Sequence, residues 1–338
     1  MAPPRGTSIL DVREPRSPRL VATLGMPQGM HSHKVRVHGD LMLVNHEHLG
    51  PGRQGDGGLK VFDISTRHAP RELAFWRCAG KGVHRFDFDG RYAYLSPEVD
   101  GYVGNIVMIL DLAEPTRPRE VGRWWLPGQW TAGREEPTWQ GRAHRTHHPL
   151  RHGDRLYVSY WHGGFVILDI GDLSRPKLLA HLDWSPPYPS PTHTVLRIPW
   201  PLHGGDWLFV ADEEVISERL HDRTPAFVWM VDATEETRPV PVSTYLLPRP
   251  ADLPPHVTFG AHQPQERLYD NRVAVTWFAG GLRVLDFGNP YRLAEIARHL
   301  PQPAPGHAYP QSNDVYVTPD GRLYLLDRLG GLEILEYV

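Results

Sequence analysis

Short apolar runs recur along this chain at a period too short for helices and too regular for chance. DLMLV, RYAYL, RLYVSY, DWLFVA, RVAVTW and RLYLLD each follow a tight turn: Gly39-Asp40, Asp89-Gly90, Gly153-Asp154, Gly205-Asp206, Asp270-Asn271 and Asp320-Gly321. These turn residues tolerate the positive φ that hairpins require. A second set of runs follows each first: LKVFDI, IVMILDL, FVILDI, FVWMVDA, LRVLDF and LEILEY. Each carries an acid near its end, at Asp63, Asp111, Asp169, Asp232, Asp286 and Glu336. Less regular fourth segments come next, among them ELAFWR, EVGRWW and KLLAHLDW. Ahead of each turn an opening segment begins at Ser32-His33, Val83-His84, Thr146-His147, Thr192-His193, Ala261-His262 and Ser312-Asn313.

Six four-stranded antiparallel units of roughly fifty residues predict an all-β chain folded as a six-bladed β-propeller. No amphipathic helix separates the strands, which argues against βαβ units. The last unit stops at Val338 without a fourth segment, while SILDVREPRSPRLVATL, Ser8 to Leu24, reads as a third-to-fourth-strand pair. The expectation is a single domain over 1–338 in which residues 8–25 complete the last blade and remove an open sheet edge. The third-strand motif then occurs seven times against six opening segments, so seven blades is the alternative.

GGLKVFDISTRHAP, GGFVILDIGDLSRP and GGLRVLDFGNP resemble the LVIVD repeat, and the likeness extends over nearly the whole chain. That resemblance implies a propeller and says little about chemistry. The chain departs from it in one respect: five of its six opening segments begin on histidine rather than on small or aliphatic residues.

The totals narrow the field. A net charge of -3 and a pI near 6.7 give no basic surface for nucleic acid or for an anionic membrane. One cysteine, Cys78, excludes a disulfide framework and a cysteine-rich zinc site within the chain. MAPPRGTSILDV has no signal-like apolar run, so a cytoplasmic location is expected. Small-molecule substrates remain the expected partners, and nothing fixes an oligomeric state.

Twenty histidines matter mainly for where they fall. The first strand of each propeller blade lines the central channel, so His33, His84, His147, His193 and His262 should meet at one mouth of it. Imidazoles from several blades could hold a divalent transition metal such as iron, manganese or zinc. A single histidine at a strand start is more often a satisfied polar residue; five at one repeat position are harder to explain so. Which of His144, His147 and His148 faces the channel is open, and of His31 and His33 one is expected only to support the other. The ends of the second strands share this mouth. Glu47, Glu98 and Glu213 there could orient imidazoles or move protons, as could Arg328, while Trp161 and Trp277 could wall a pocket for a small, largely apolar or aromatic substrate. No G-x-S-x-G elbow, H-E-x-x-H, P-loop or G-x-G-x-x-G before a helix is present. The expected activity is that of a metal-dependent lyase, isomerase or oxygenase. The histidine arrangement is similar to that of carotenoid- and stilbene-cleaving oxygenases. The alternative is a non-catalytic propeller that presents its loops to a protein partner.

Overall fold

A computed structural model describes residues 6–49, 57–142, 144–185, 188–215 and 224–337. Among them the chain is strand and turn throughout, apart from one 3-10 turn at Thr131–Gly133. No helix there is long and apolar enough to cross a membrane.

The strands follow the sequence pattern. Val35–His38, Leu41–His48, Gly58–Asp63 and Arg71–Arg77 pair in order as one antiparallel repeat. Gly80–Phe88, Tyr92–Val99, Val107–Asp111 and Arg119–Trp124 form the next, and a Glu47–Gly82 pairing joins the two into one sheet. Pro149–His152, Arg155–Ser159, Phe165–Asp169 and Lys177–Leu182 make a four-stranded sheet, as do Thr192–Arg197, Trp207–Asp212, Val228–Asp232 and Val240–Tyr245. The last two sheets have three strands each: Arg272–Thr276, Leu282–Asp286 and Ala294–His299, then Ser312–Val317, Leu323–Asp327 and Gly331–Leu335. Ahead of Arg272, residues 262–265 still exchange backbone bonds with Thr276 and Ala274. Pro264 lacks the N–H needed to continue that ladder.

Two repeated sequence features have local structural causes. The acid ending each third strand turns back on the chain: Asp63, Asp111, Asp169, Asp232 and Asp286 each accept the backbone N–H two residues on. These acids shape the turn into the fourth strand. Gly164 and Gly281 open their third strands at positive φ (64° and 79°), where a Cβ would stand 2.0 Å from the Leu182 oxygen and 2.3 Å from that of His299. Only glycine fits there. A register shift recurs between the third and fourth strands, at Val61/Phe62, Ile109/Leu110, Met230/Val231 and Val284/Leu285. Such bulges add twist to the outer strand.

The N-terminal strands Gly6–Asp11 and Arg19–Gly25, expected to complete the last blade, form a two-stranded sheet of their own. It carries the same bulge, at Ile9/Leu10, and the same turn, with Asp11 accepting from the Arg13 N–H. Ile9 and Leu24 pack against Met42, Val44, Phe62 and Ile64.

By its contacts the chain divides into two compact units, Met1–Leu156 with Leu168–Lys177, and Tyr157–Ile167 with Leu178–Val338. The first is centred on Leu43, Leu59, Phe86, Leu95, Ile106 and Leu110, all fully buried. In the second, Phe165, Val195, Leu208 and Val210 form one core cluster, and Ala274, Val284 and Leu325 lie in another. Phe86→Ala should lower stability by about 3–5 kcal/mol, the usual range for emptying a fully buried phenylalanine site. Urea unfolding monitored by tryptophan fluorescence measures it, and a loss within error of zero would place Phe86 outside the core.

Candidate functional site

In the first unit the candidate site grows from Asn45, fully buried near the end of its strand. Its Oδ1 accepts the backbone N–H groups of His33 (3.1 Å) and Lys34 (2.8 Å). Its amide nitrogen donates to the carbonyls of Val83 (2.9 Å) and His84 (3.1 Å). One side chain thus fixes the backbone under two histidines that lie far apart in sequence. The His33 ring stands 4.7 Å from that of His84, which stands 4.8 Å from His147. His31 stacks on His33 at 4.3 Å, nearly parallel.

Glu47 is the acid of this cluster. Its Oε2 accepts from the His84 Nδ1–H at 2.6 Å and lies 3.8 Å from His31 Nδ1, while the Lys81 ammonium is 3.5 Å from Oε1. Burial alone would raise the carboxyl, but His84, His31 and Lys81 together hold it well below the ordinary carboxylate range. His33 is held well below its usual value, first by burial and then by the neighbouring charges of His84 and Arg85. Burial also lowers His84, with Glu47 opposing it. Neutral rings beside an ionised carboxylate are the protonation states a metal needs of its ligands. The bond to Glu47 uses His84 Nδ1–H and leaves the lone pair on Nε2, an arrangement common behind metal-bound histidines. His33 Nε2 is buried with no hydrogen-bond partner among the described residues. His31, His33 and Glu47 each offer a ligand atom, all within 4.8 Å of one another. The donor set fits a divalent transition metal.

The second unit assembles a matching group. His193 and His262 have rings 4.3 Å apart. Glu213 faces both, with Oε2 3.8 Å from His193 Nε2 and Oε1 3.6 Å from His262 Nε2. His262 Nδ1–H donates to the Asn313 carbonyl at 2.6 Å, which again leaves the lone pair on Nε2. Ser159 donates to the His193 carbonyl at 2.6 Å, and Thr276 to that of Asn313 at 3.1 Å. These hydroxyls stand where Asn45 stands in the first repeat, and Ser96, donating to the Thr146 carbonyl at 2.9 Å, does the same work in the first unit.

Of the predicted residues, then, the first unit brings together His33, His84, His147 and Glu47, and the second His193, His262 and Glu213. His147 rather than His144 faces the cluster, because His144 stacks on Trp139 at 5.1 Å. Glu98 is half exposed and has Lys81, 4.0 Å away, as its charged neighbour rather than an imidazole. Trp277 needs a correction. Trp277 is fully buried against the edge of Tyr245, so it packs strands and walls no pocket. The matching bonds Tyr160 N–H to Gly164 O and Trp277 N–H to Gly281 O show that Trp277 corresponds to Tyr160, and Trp161 to Phe278. Trp161 and Phe278 share a positive φ (50° and 44°), and Phe278 lies 4.6 Å from His262. Alternation counted from the glycine pair, rather than from the nearest tryptophan, selects Phe278. Asn45, Ser96, Ser159 and Thr276 were also missed; their signal is a small polar residue recurring inside apolar second strands.

The LVIVD repeat family matches residues 152–183. The chain is a β-propeller that carries an LVIVD repeat over those residues. Similar solved structures include a protein from Lactobacillus plantarum (10% identity, 88% of this chain and 81% of that one, TM-score 0.60). The periplasmic gluconolactonase PpgL of Pseudomonas aeruginosa is similar at 13% identity over 95% of this chain and 88% of its own, with TM-score 0.60. The C-terminal WD40 domain of Sif2 is similar at 12% identity over 98% and 89%, with TM-score 0.54. At these identities the likeness is one of fold. No curated protein matches the sequence.

In this propeller Asp212, beside Glu213, is buried and accepts from Trp229 Nε1–H (2.8 Å) and Thr192 Oγ1–H (3.1 Å). Burial outweighs both bonds and pushes its carboxyl up to about 8. The folded protein therefore holds a proton that the unfolded chain releases above the ordinary carboxylate range, and stability falls as pH rises toward about 8. Asp212→Asn, nearly isosteric and uncharged, should lose this slope and gain on the wild type as pH rises. Urea midpoints of both proteins at about pH 5 and about pH 8 test the sign; an equal difference at the two pH values would rule out a buried, protonated Asp212.

Proposed function

We propose that this protein is a metal-dependent enzyme whose histidine–glutamate clusters hold a divalent transition metal and act on a small organic molecule. One observation carries the reading. Glu47 takes the Nδ1–H of His84, beside a buried His33 Nε2 without a partner among the described residues, and His31, His33 and Glu47 offer ligand atoms within 4.8 Å of one another. Buried imidazoles that face an ionised carboxylate without a cation would leave polar groups unsatisfied, which folded proteins avoid. The metal would supply a Lewis acid for a carbonyl or hydroxyl, or an iron centre for dioxygen, consistent with a lyase, isomerase or oxygenase. The chain's own groups do the rest. Asn45 sets the backbone of His33 and His84, Glu47 fixes the His84 tautomer, and Lys81 balances the Glu47 charge.

The fold does not choose between classes, since a gluconolactonase and a WD40 domain both share it. A scaffold has no use for this cluster. Its binding surface would need exposed side chains, whereas His147, His193 and His262 are almost wholly buried.

Protein purified without a histidine tag should contain a stoichiometric divalent transition metal by elemental analysis. A His33→Ala/His84→Ala double variant should keep its fold by circular dichroism and lose the metal. Metal-free wild-type protein whose melting is unchanged by added zinc, iron or manganese would sink the proposal in favour of the scaffold. Glu47→Gln should bind the metal about 10- to 100-fold more weakly, the usual effect of losing a carboxylate that orients a ligating imidazole. Competition with a chelator of known affinity measures it, and an unchanged affinity would remove Glu47 from the site.

A further inference from the structure

Strand Gly80–Phe88 carries two bulges against Tyr92–Val99. Gly80 pairs with Val99, Gly82 with Glu98, Val83 with Pro97 and Arg85 with Ser96, so Lys81 and His84 are the extra residues. A bulge bends the strand and re-aims the side chain at the extra position. The bulge at His84 recurs in other repeats, where His193 and Asn313 are skipped in the same way. The bulge at Lys81 is built by glycine. Gly80 and Gly82 take positive φ (154° and 121°), and a Cβ on them would stand 2.1 Å from the Glu98 oxygen and 2.2 Å from that of His46. A side chain fits at neither, so the backbone on both sides of Lys81 is committed to turning that residue.

Both extra residues turn to the same acid. His84 gives its Nδ1–H to Glu47 Oε2 at 2.6 Å, and Lys81 Nζ stands 3.5 Å from Glu47 Oε1. Gly82 pairs with Glu47 on one side and Glu98 on the other, which sets the two acids in one row across three strands. Lys81 Nζ is 4.0 Å from Glu98 Oε2. Both separations exceed the roughly 2.7–2.9 Å of a charge-assisted hydrogen bond. Glu47 is enclosed, with 6% of its side chain exposed, whereas Lys81 and Glu98 show 39% and 40%. The gap a ligand can enter is therefore the one between Lys81 and Glu98.

A hydroxyl group fits that gap. Its oxygen accepts from Lys81 Nζ–H while its own O–H donates to Glu98 Oε2. With both bonds near about 2.8 Å, the 4.0 Å separation closes at roughly 90° around the hydroxyl oxygen. A hydroxyl can accept and donate at once in this way. Glu98 opposes an anion here and Lys81 opposes a cation, so the pair favours an uncharged group. We propose that Lys81 and Glu98 bind a hydroxyl group of the substrate, which is therefore a small hydroxylated molecule. The inference rests on the metal-enzyme reading above, because the pair reaches the imidazoles through Glu47.

Two hydroxamates that differ by one hydroxyl are the probes. Glycolohydroxamate and acetohydroxamate both chelate transition metals, and each is titrated calorimetrically into the full chain supplied with zinc. The ratio of the two affinities within each protein is the readout, since a change in how a variant holds the metal cancels from it. The wild type should prefer glycolohydroxamate roughly tenfold to a hundredfold, the range for a hydroxyl bonded to charged groups. Lys81→Met and Glu98→Ala should each bring the two affinities close together, and Lys81→Arg, which keeps charge and donors, should retain part of the preference. Glu98 is half exposed, so Glu98→Ala decides the matter should Lys81→Met fail to fold. A zinc-loaded wild type that binds the two hydroxamates alike or not at all, or an undiminished preference in both variants, would overturn the assignment. Zinc content measured on the same samples keeps the two ideas apart. A protein that takes up no zinc, iron or manganese would end both, whereas a metal-loaded protein indifferent to Lys81 and Glu98 would end this one alone.

Discussion

The arrangement depends on one kind of hydrogen bond, made by a small polar side chain buried in the second strand of a repeat to a backbone carbonyl where the next repeat opens. Asn45 reaches Val83 and His84, Ser96 reaches Thr146, Ser159 reaches His193, and Thr276 reaches Asn313. Val83, Thr146 and His193 are buried, where a carbonyl left unpaired is costly. Each bond contributes only about 1 kcal/mol net, whereas an orphaned buried carbonyl costs about 1–3 kcal/mol. The larger number decides what the sequence tolerates: an aliphatic residue of similar size would suit the strand and leave the carbonyl stranded. In the first three of these the bonded residue is the histidine itself or its neighbour, so satisfying the backbone also aims the imidazole.

That aim makes the buried histidines chemically useful. Desolvation keeps His33 and His84 neutral, and Glu47, itself held ionised, selects the tautomer of His84. His262 reaches the same tautomer by another route, through the Asn313 carbonyl. A carboxylate and a carbonyl are interchangeable here because both only accept, so each leaves Nε2 with its lone pair. Where the acceptor is charged, the imidazole becomes a stronger ligand; where it is a carbonyl, only direction is fixed.

Much of this was legible in the sequence. Strand order, turn positions and the recurrence of histidine followed from the spacing of apolar runs and glycine turns, since hairpin periodicity is local. The acid of each third strand was visible as a repeat, but its role as a turn acceptor needed the geometry of Asp63 and its counterparts. Trp277 was misread because it was matched to Trp161 rather than counted from Gly281, and one step in a strand reverses the face. Residues 8–25 were recognised as a hairpin of the repeat, down to the bulge and the turn at Asp11. Their packing on Met42 and Phe62 was not, because apolar pattern fixes which face is buried and not what buries it. The polar residues of the second strands escaped for a related reason: a lone serine in an apolar strand looks like a tolerated exception until its partner, dozens of residues away, is known.

The repeat therefore separates two demands that a single site usually combines. The backbone bond after the second strand is the same at Glu213 and at Arg328, so that position is held with either residue there. Glu213 and Arg328 show how far this goes, with equivalent backbone bonds beneath opposite charges. At neither position does the charge have to stabilise the fold, because the ladder and the core already do. Selection on chemistry can then act one repeat at a time, and the histidine positions follow the same logic. Asn313 gives up the imidazole, keeps the carbonyl that orients His262, and gains a side chain that holds a cation. A fold in which spokes are tied down by a neighbour's hydroxyl or amide, as at Asn45, Ser96, Ser159 and Thr276, can vary the tips of the spokes, and here it places imidazoles, a carboxylate and a guanidinium on equivalent scaffolding.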